Sequence, residues 1–270
     1  MPREAAMSVP ARLCGLFLMI LVAVPAGAAA KPGVLLLHGK TGMPGQMQAL
    51  AGALRNAGYI VGAPEMCWSR RRIYDRDLGG CLADIDAAIA RLKGEGATDV
   101  VLGGTSLGAM VALDYAAAHP GLAGVIAIVP AADPADTANY PALAAGVRHA
   151  ETLIAAGQGD VTTQLSDIVT GNTALMVKAT PNAYMSFHGA NSPVATVTRG
   201  LAAMVMPKVT VPCLWVAATR DPSQQNAATI FAKLPHNPLD QLAQVDSDHA
   251  GAPDAAGSVV TTWLARVGGP

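Results

Sequence analysis

The stretch Val100-Val101-Leu102-Gly103-Gly104-Thr105-Ser106-Leu107-Gly108-Ala109-Met110 constrains this chain more than any other. Val100 to Leu102 is an apolar run without polar alternation, the pattern of a strand buried on both faces of a parallel sheet. Beyond Ser106, the residues Leu107, Met110, Val111 and Tyr115 fall at helical spacing, so the serine occupies the turn between a strand and a helix. A G-x-S-x-G sequence in that setting has the form of a nucleophile elbow. Gly104 and Gly108 let strand and helix approach closely around a strained central residue whose hydroxyl faces outward. The Leu107 amide, opening the helix, points to where an oxyanion would develop. In a chain with 28 glycines the same pentapeptide also fits a tight turn with a solvated serine, so other parts of the chain must decide.

Residues 1–30 have the pattern of a secretory signal peptide. Arg3 and Arg12 precede an apolar run from Leu13 to Val24, and small residues from Ala26 to Ala30 offer cleavage sites before Lys31. The run is short for a bilayer span, so no stable membrane insertion is expected after cleavage, and the expected location is periplasmic or secreted. Without this segment the formal charge moves from −1 to about −2, which gives no basis for binding nucleic acid. Residues 31–270 contain no low-complexity linker and read as one domain.

From Lys31 onward, strand-like runs alternate with helical segments, the signature of a mostly parallel, doubly wound α/β sheet. Val34–Leu37, Tyr59–Val61, Val100–Leu102, Val125–Val129, Pro212–Ala218 and Leu239–Val245 are the expected strands. Helices are expected over Gln46–Ala57, along the Leu82, Ile85, Ile89 and Leu92 face, after Ser106, and around Val260 and Trp263. The gap from Val129 to Val211 is too long for an ordinary connection, and residues 131–207 read as an inserted helical cap above the strand ends. Tyr184, Met185 and Phe187 either line a substrate pocket there or form the cap's own core. Met43, in the loop after the first strand, is a further candidate for substrate contact.

A serine acts as a nucleophile at neutral pH when a base takes its proton and a third group orients that base. The order expected after a nucleophile elbow is serine, acid, histidine. Thr219-Arg220-Asp221-Pro222 follows the strand after the cap, and Asp246-Ser247-Asp248-His249-Ala250-Gly251 follows the last strand. Three residues placed independently at strand ends therefore form a candidate triad of Ser106, Asp221 and His249. The first strand runs into His38-Gly39-Lys40, and the Lys40 amide is the candidate second oxyanion donor beside Leu107. The Lys40 ammonium either points into solvent or guides an anionic substrate, and His38 reads as a structural histidine. Asp133 is a second possible acid, ranked behind Asp221. Arg70, Arg71 and Arg72 either contact a substrate anion or form a solvated loop. The six histidines show no metal-ligand spacing, so no metal is expected.

These motifs resemble the α/β-hydrolase superfamily, in particular small bacterial carboxylesterases and monoacylglycerol-lipase-like serine hydrolases. LLLHGKTGMPGQMQALAGALRNAGYIV resembles their opening, and GGTSLGA, AATRDP and SDHAG resemble the elbow, acid and histidine stretches. The resemblance covers most of residues 33–130 and 208–266 and leaves the cap unmatched. It implies Ser106 as nucleophile, Asp221 as acid, His249 as base, Lys40 and Leu107 amides as oxyanion hole, and no cofactor. The family often has an apolar residue where Lys40 stands. Antiparallel strands often precede the His-Gly strand in that family, so a sheet shortened at its N-terminus is expected here.

The expected activity is cleavage of a small-molecule carboxylic ester through an acyl-enzyme on Ser106, with preference for small or medium acyl groups. The alternatives are an amidase or peptidase of the same fold, and a non-catalytic binding protein on a hydrolase scaffold. In an oxidising compartment Cys67 and Cys81 are expected to form a disulfide, with Cys213 buried in its strand; the alternative is two thiols too far apart to join.

Overall fold

Strands that are apolar on both sides need covering on both sides, and the chain meets that need with helices on each face of one parallel sheet. The computed structural model describes residues 32–130, 140–169, 173–190, 192 and 204–268. Six strands form the sheet: β1 (Gly33–Leu37), β2 (Ile60–Gly62), β3 (Val100–Thr105), β4 (Gly124–Ile128), β7 (Cys213–Ala218) and β8 (Gln241–Val245). Their spatial order is β2-β1-β3-β4-β7-β8 and every pairing is parallel. Among the described residues the sheet begins with β1, steps outward to β2, and returns to the other side of β1 with β3. The C-terminal ends of β1 and β3 therefore flank the switch point where open α/β sheets bind ligands. Register brings Leu37 beside Gly104 and Thr105 beside Ile128, so the loops after β1, β3 and β4 emerge at one edge.

The two-residue period of each strand separates the core into two layers. Val34, Leu36, Val101, Ile126, Ile128, Leu214 and Val216 pack with Leu50 and Leu54 of α1 (Gln48–Asn56) and with Val260, Trp263 and Leu264 near the C-terminus. Leu35, Leu37, Leu102, Val125 and Trp215 pack on the other face with α2 (Leu78–Gly94) and α3 (Leu107–Ala118). The α3 helix is apolar almost all round because it lies under both the sheet and the inserted segment. Residues 1–30, the expected signal peptide, and Asp133 lie outside the described residues.

Between β4 and β7 the chain builds α4 (Pro141–Ala155), an antiparallel hairpin of β5 (Thr163–Val169) and β6 (Thr173–Ala179), and α5 (Pro181–His188). The expected inserted cap is helical; beside its helices the described residues include this antiparallel hairpin. Leu165 and Asp167 face inward on β5, with Val177 and Ala179 on β6. An aspartate at an inward position interrupts the apolar alternation by which a strand is read. Thr180 caps α5 by accepting from the Ala183 amide, and Pro181 sits at its first turn. Among the described residues the remaining α-helices are α6 (Ala227–Phe231), α7 (Ala252–Ala255) and α8 (Gly257–Val267). No helix among the described residues is long and apolar enough to cross a membrane.

Candidate active site

Ser106 stands between β3 and α3 with φ 53° and ψ −120°, a backbone conformation that costs a non-glycine residue on the order of 1–3 kcal/mol. The turn is held at both ends: the Ser106 amide donates to the Ile128 carbonyl at 3.0 Å, and its carbonyl accepts from Met110 at 3.1 Å. A Cβ at Gly104 would come within 2.5 Å of Gly108 backbone atoms, and one at Gly108 within 2.5 Å of the Leu37 carbonyl oxygen. Both glycines are thus demanded by close approach, as the motif requires.

Asp221 follows β7 and His249 follows β8, on neighbouring strands. The imidazole Nδ1 donates to Asp221 Oδ2 at 2.6 Å, while Asp221 Oδ1 accepts from the Ser223 amide at 3.0 Å and its hydroxyl at 2.8 Å. Asp221 is buried and held from both sides, so it fixes the ring's orientation. With its proton on Nδ1, a neutral imidazole keeps a lone pair on Nε2. That nitrogen is buried and has no hydrogen-bond partner among the described residues. Two backbone bonds lace the loops together, Thr219 N–H to Val245 C=O and Arg220 N–H to Ser247 C=O.

The loop after β1 passes beside the serine: a Cβ on Gly39 would lie 3.3 Å from Ser106 Cβ. The Gly39 amide donates to Gln46 Oε1 at 2.8 Å, Thr41 to the Trp68 carbonyl at 2.9 Å, and Gly42 to the Gly39 carbonyl at 3.0 Å. The Lys40 amide, between them, has no partner among the described residues. Thr41 carries the loop through φ 52°. His38 is structural. Its Nε2 accepts from the Met66 amide and its Nδ1 donates to the Gly39 carbonyl, while burial lowers its pKa below the ordinary histidine value.

The Lys40 ammonium does not point into solvent, nor is it open to a substrate anion. It forms an ion pair at 2.6 Å with Asp167 of β5, whose side chain is fully buried. Burial pushes the Asp167 pKa up, but the neighbouring His188 and Lys40 more than reverse that, and its carboxyl is held well below the usual range. Tyr74 donates to Asp167 Oδ2 at 3.0 Å, and His188 Nε2 lies 3.5 Å from the same oxygen. Burial lowers the pKa of both Lys40 and His188, with Asp167 opposing the change. Residue types alone did not point to Asp167, Tyr74, His188 or Gln46, although an aspartate between Leu165 and Ile168 was a visible irregularity.

Among the candidate contact residues, Tyr184 and Phe187 turn out to be the cap's own core. Phe187 packs at 4.6 Å between ring centres on Tyr74, and the Tyr184 hydroxyl donates to the Ser166 carbonyl at 2.8 Å. Met185 lines a cleft of about 610 Å³ with Asp77, Leu78, Leu82 and Glu151. None of Ser106, His249, Asp221 and Lys40 lines that cleft, so the structure does not bring Met185 to the serine through it. Met43 is half-buried at the start of a 3₁₀ turn. Arg71 pairs with Glu65, and Arg72 with Asp75 and Asp84, which leaves Arg70 without an ion-pair partner among the described residues. Cys67 and Cys81 are joined, with Cα atoms 5.8 Å apart, and Cys213 is buried and free. No cluster of three or more His, Cys, Asp or Glu residues suited to a metal occurs among the described residues.

The doubly wound sheet, the strained serine at its switch point and the carboxylate-braced histidine define the α/β-hydrolase class. A family model described as serine aminopeptidase, S33, matches residues 28–243. The chain belongs to that family. A thermostable monoacylglycerol lipase of Bacillus sp. (strain H-257) is 33% identical over 118 residues, covering 43% of this chain and 44% of that enzyme. The match thus spans under half of that relative's length. Among solved structures, a metagenome-derived lipolytic enzyme aligns with a TM-score of 0.62 and 23% identity, over 88% of this chain and 94% of its own. A monoacylglycerol lipase of Paleococcus ferrophilus aligns at 0.59 and 18% identity, over 88% and 98%. Both share the fold.

Proposed function

We propose that the protein is a secreted serine hydrolase that cleaves a small-molecule carboxylic ester through an acyl-enzyme on Ser106. The observation that carries this reading is the His249 ring, with one nitrogen on Asp221 and the other buried and without a partner among the described residues. In the reaction His249 Nε2 takes the Ser106 proton as Oγ attacks the ester carbonyl. Asp221 stabilises the imidazolium that forms. The oxyanion of the tetrahedral intermediate lies between the Lys40 and Leu107 amides, the latter at a helix N-terminus. Collapse expels the alcohol, which takes its proton from His249, and water activated by the same nitrogen then releases the acid. The monoacylglycerol lipase among the relatives supports an ester as substrate. Secretion is supported by the character of residues 1–30 and by the Cys67–Cys81 disulfide, which suits an oxidising compartment.

The family description as a serine aminopeptidase favours a second reading, amide or peptide cleavage by the same residues. Turnover of matched p-nitrophenyl esters and amino-acid p-nitroanilides separates the two. A fluorophosphonate is expected to label wild-type protein at Ser106, and Ser106→Ala to lose both labelling and ester turnover. Full turnover by Ser106→Ala would overturn the mechanism. Absence of labelling in the wild type would point to a binding protein.

A further inference from the structure

We propose that Asp167 is a positioning residue for the oxyanion hole, holding the Lys40 amide in place from the cap through the Lys40 side chain. This rests on the role given to the Lys40 amide above.

The peptide plane that carries the Lys40 N–H is fixed on its Gly39 side. The Gly39 carbonyl accepts from the Gly42 amide at 3.0 Å and from His38 Nδ1 at 2.8 Å. On the far side Thr41 is held by the Trp68 carbonyl. The remaining freedom is the position of the Lys40 Cα, and the side chain is the anchor that controls it. Its ammonium ends on Asp167 Oδ1 at 2.6 Å, an oxygen that also accepts from the Ile168 amide at 2.7 Å. Oδ2 accepts from Tyr74, a residue of the disulfide loop held at φ 54°. Asp167 is thus locked by its own strand and by the loop that also holds Thr41.

Stability is a poor reason for such a pair. Two buried charges recover little more than their lost hydration, and apolar residues of similar volume serve a core as well or better. The ion pair does supply direction and length, joining residues 127 positions apart at the one loop where placement of an amide governs turnover. A lysine in a loop usually ends in solvent; here its ammonium is tied to a buried carboxylate of another element.

The test compares wild type, Asp167→Asn, Lys40→Met, Lys40→Arg and the double variant Lys40→Met/Asp167→Asn, all in the full chain. Turnover of p-nitrophenyl butyrate, inhibition by a trifluoromethyl ketone that forms a tetrahedral oxyanion, and Tm are measured together. Asp167→Asn and Lys40→Met are each expected to lower kcat about 10–100-fold, with KM changed less than about threefold and ketone affinity weakened in proportion to kcat/KM. Lys40→Arg retains the charge and is expected to recover much of kcat. The double variant leaves no unpaired buried charge, so it regains the Tm lost in Asp167→Asn while kcat stays low. It also carries the test should the single variants fail to fold. Recovery of kcat and ketone affinity along with Tm in the double variant would reduce the pair to a structural tie and overturn the proposal. Serine-dependent turnover that ignores all the variants overturns only the role of Asp167. Turnover that survives Ser106→Ala overturns the hydrolase mechanism and this proposal with it.

Discussion

Asp221 and His249 reach each other through loops that leave neighbouring strands, β7 and β8, and that exchange backbone hydrogen bonds along the way. The loop after β1, on the other flank of β3, is assembled differently. Trp68 reaches back 30 residues to donate to the His38 carbonyl, and Lys40 reaches 127 residues forward to Asp167. The Asp221–His249 side needs only a correct sheet, whereas the Lys40 side needs the disulfide loop and the cap as well. Damage to the first should therefore remove chemistry and spare the fold, and damage to the second should affect both.

The largest expected effect breaks the first side. Asp221→Asn keeps the shape but presents an amide where the Nδ1 proton is accepted, favouring the wrong histidine tautomer. The expected loss is about 10⁴-fold in kcat with Tm nearly unchanged, measured by ester turnover and thermal melting. A near-silent Asp221→Asn together with a crippled Asp133→Asn would move the acid to the other loop.

The same contrast explains what could be read in the sequence. Ser106, Asp221 and His249 each end or follow a strand recognisable from its own few residues, so local pattern placed them. The two-faced sheet was likewise visible in runs such as Val34–Leu37 and Val125–Val129. The destination of the Lys40 side chain was not, because it depends on a residue in a distant hairpin that its own inward aspartate concealed. Tyr184 and Phe187 could be read either way for a related reason: an aromatic side chain suits a core and a binding surface alike, and only their packing on Tyr74 and Trp68 places them in the core.

The next effect tests the second side. Replacing Cys67 and Cys81 by serine opens a closure of 14 residues and is expected to cost about 3 kcal/mol, or roughly 6–12 °C in Tm. The loop it releases carries the Trp68 carbonyl that holds Thr41 and the Tyr74 hydroxyl on Asp167, so kcat should fall as well. Thiol titration of the unfolded, unreduced chain lacking residues 1–30 should find Cys213 alone. Three free thiols, or a Tm indifferent to reductant, would remove the disulfide from the account.

The smallest effect separates the two sides by pH. His38 and His188, both on the Lys40 side, have pKa values lowered chiefly by burial, which disfavours their charged forms. In the unfolded chain they titrate near their ordinary value of 6.5. As pH falls below that value the unfolded state binds protons that the folded state refuses, so stability declines, by at most about 1.4 kcal/mol per pH unit for each histidine. Asp167 acts with the same sign at lower pH. Its folded pKa is depressed, so its contribution is complete above the unfolded carboxylate value near 4 and is lost as pH drops beneath it. Melting curves between pH 7.5 and 5 should show Tm falling with acid. His188→Gln should lower Tm at pH 7.5, where the contacts to Tyr74 and Asp167 are lost, yet flatten the decline because one of the two refusing groups is gone. An unchanged slope in that variant would exclude His188 as a source of the acid sensitivity and leave His38, under the Met66 amide, to account for all of it.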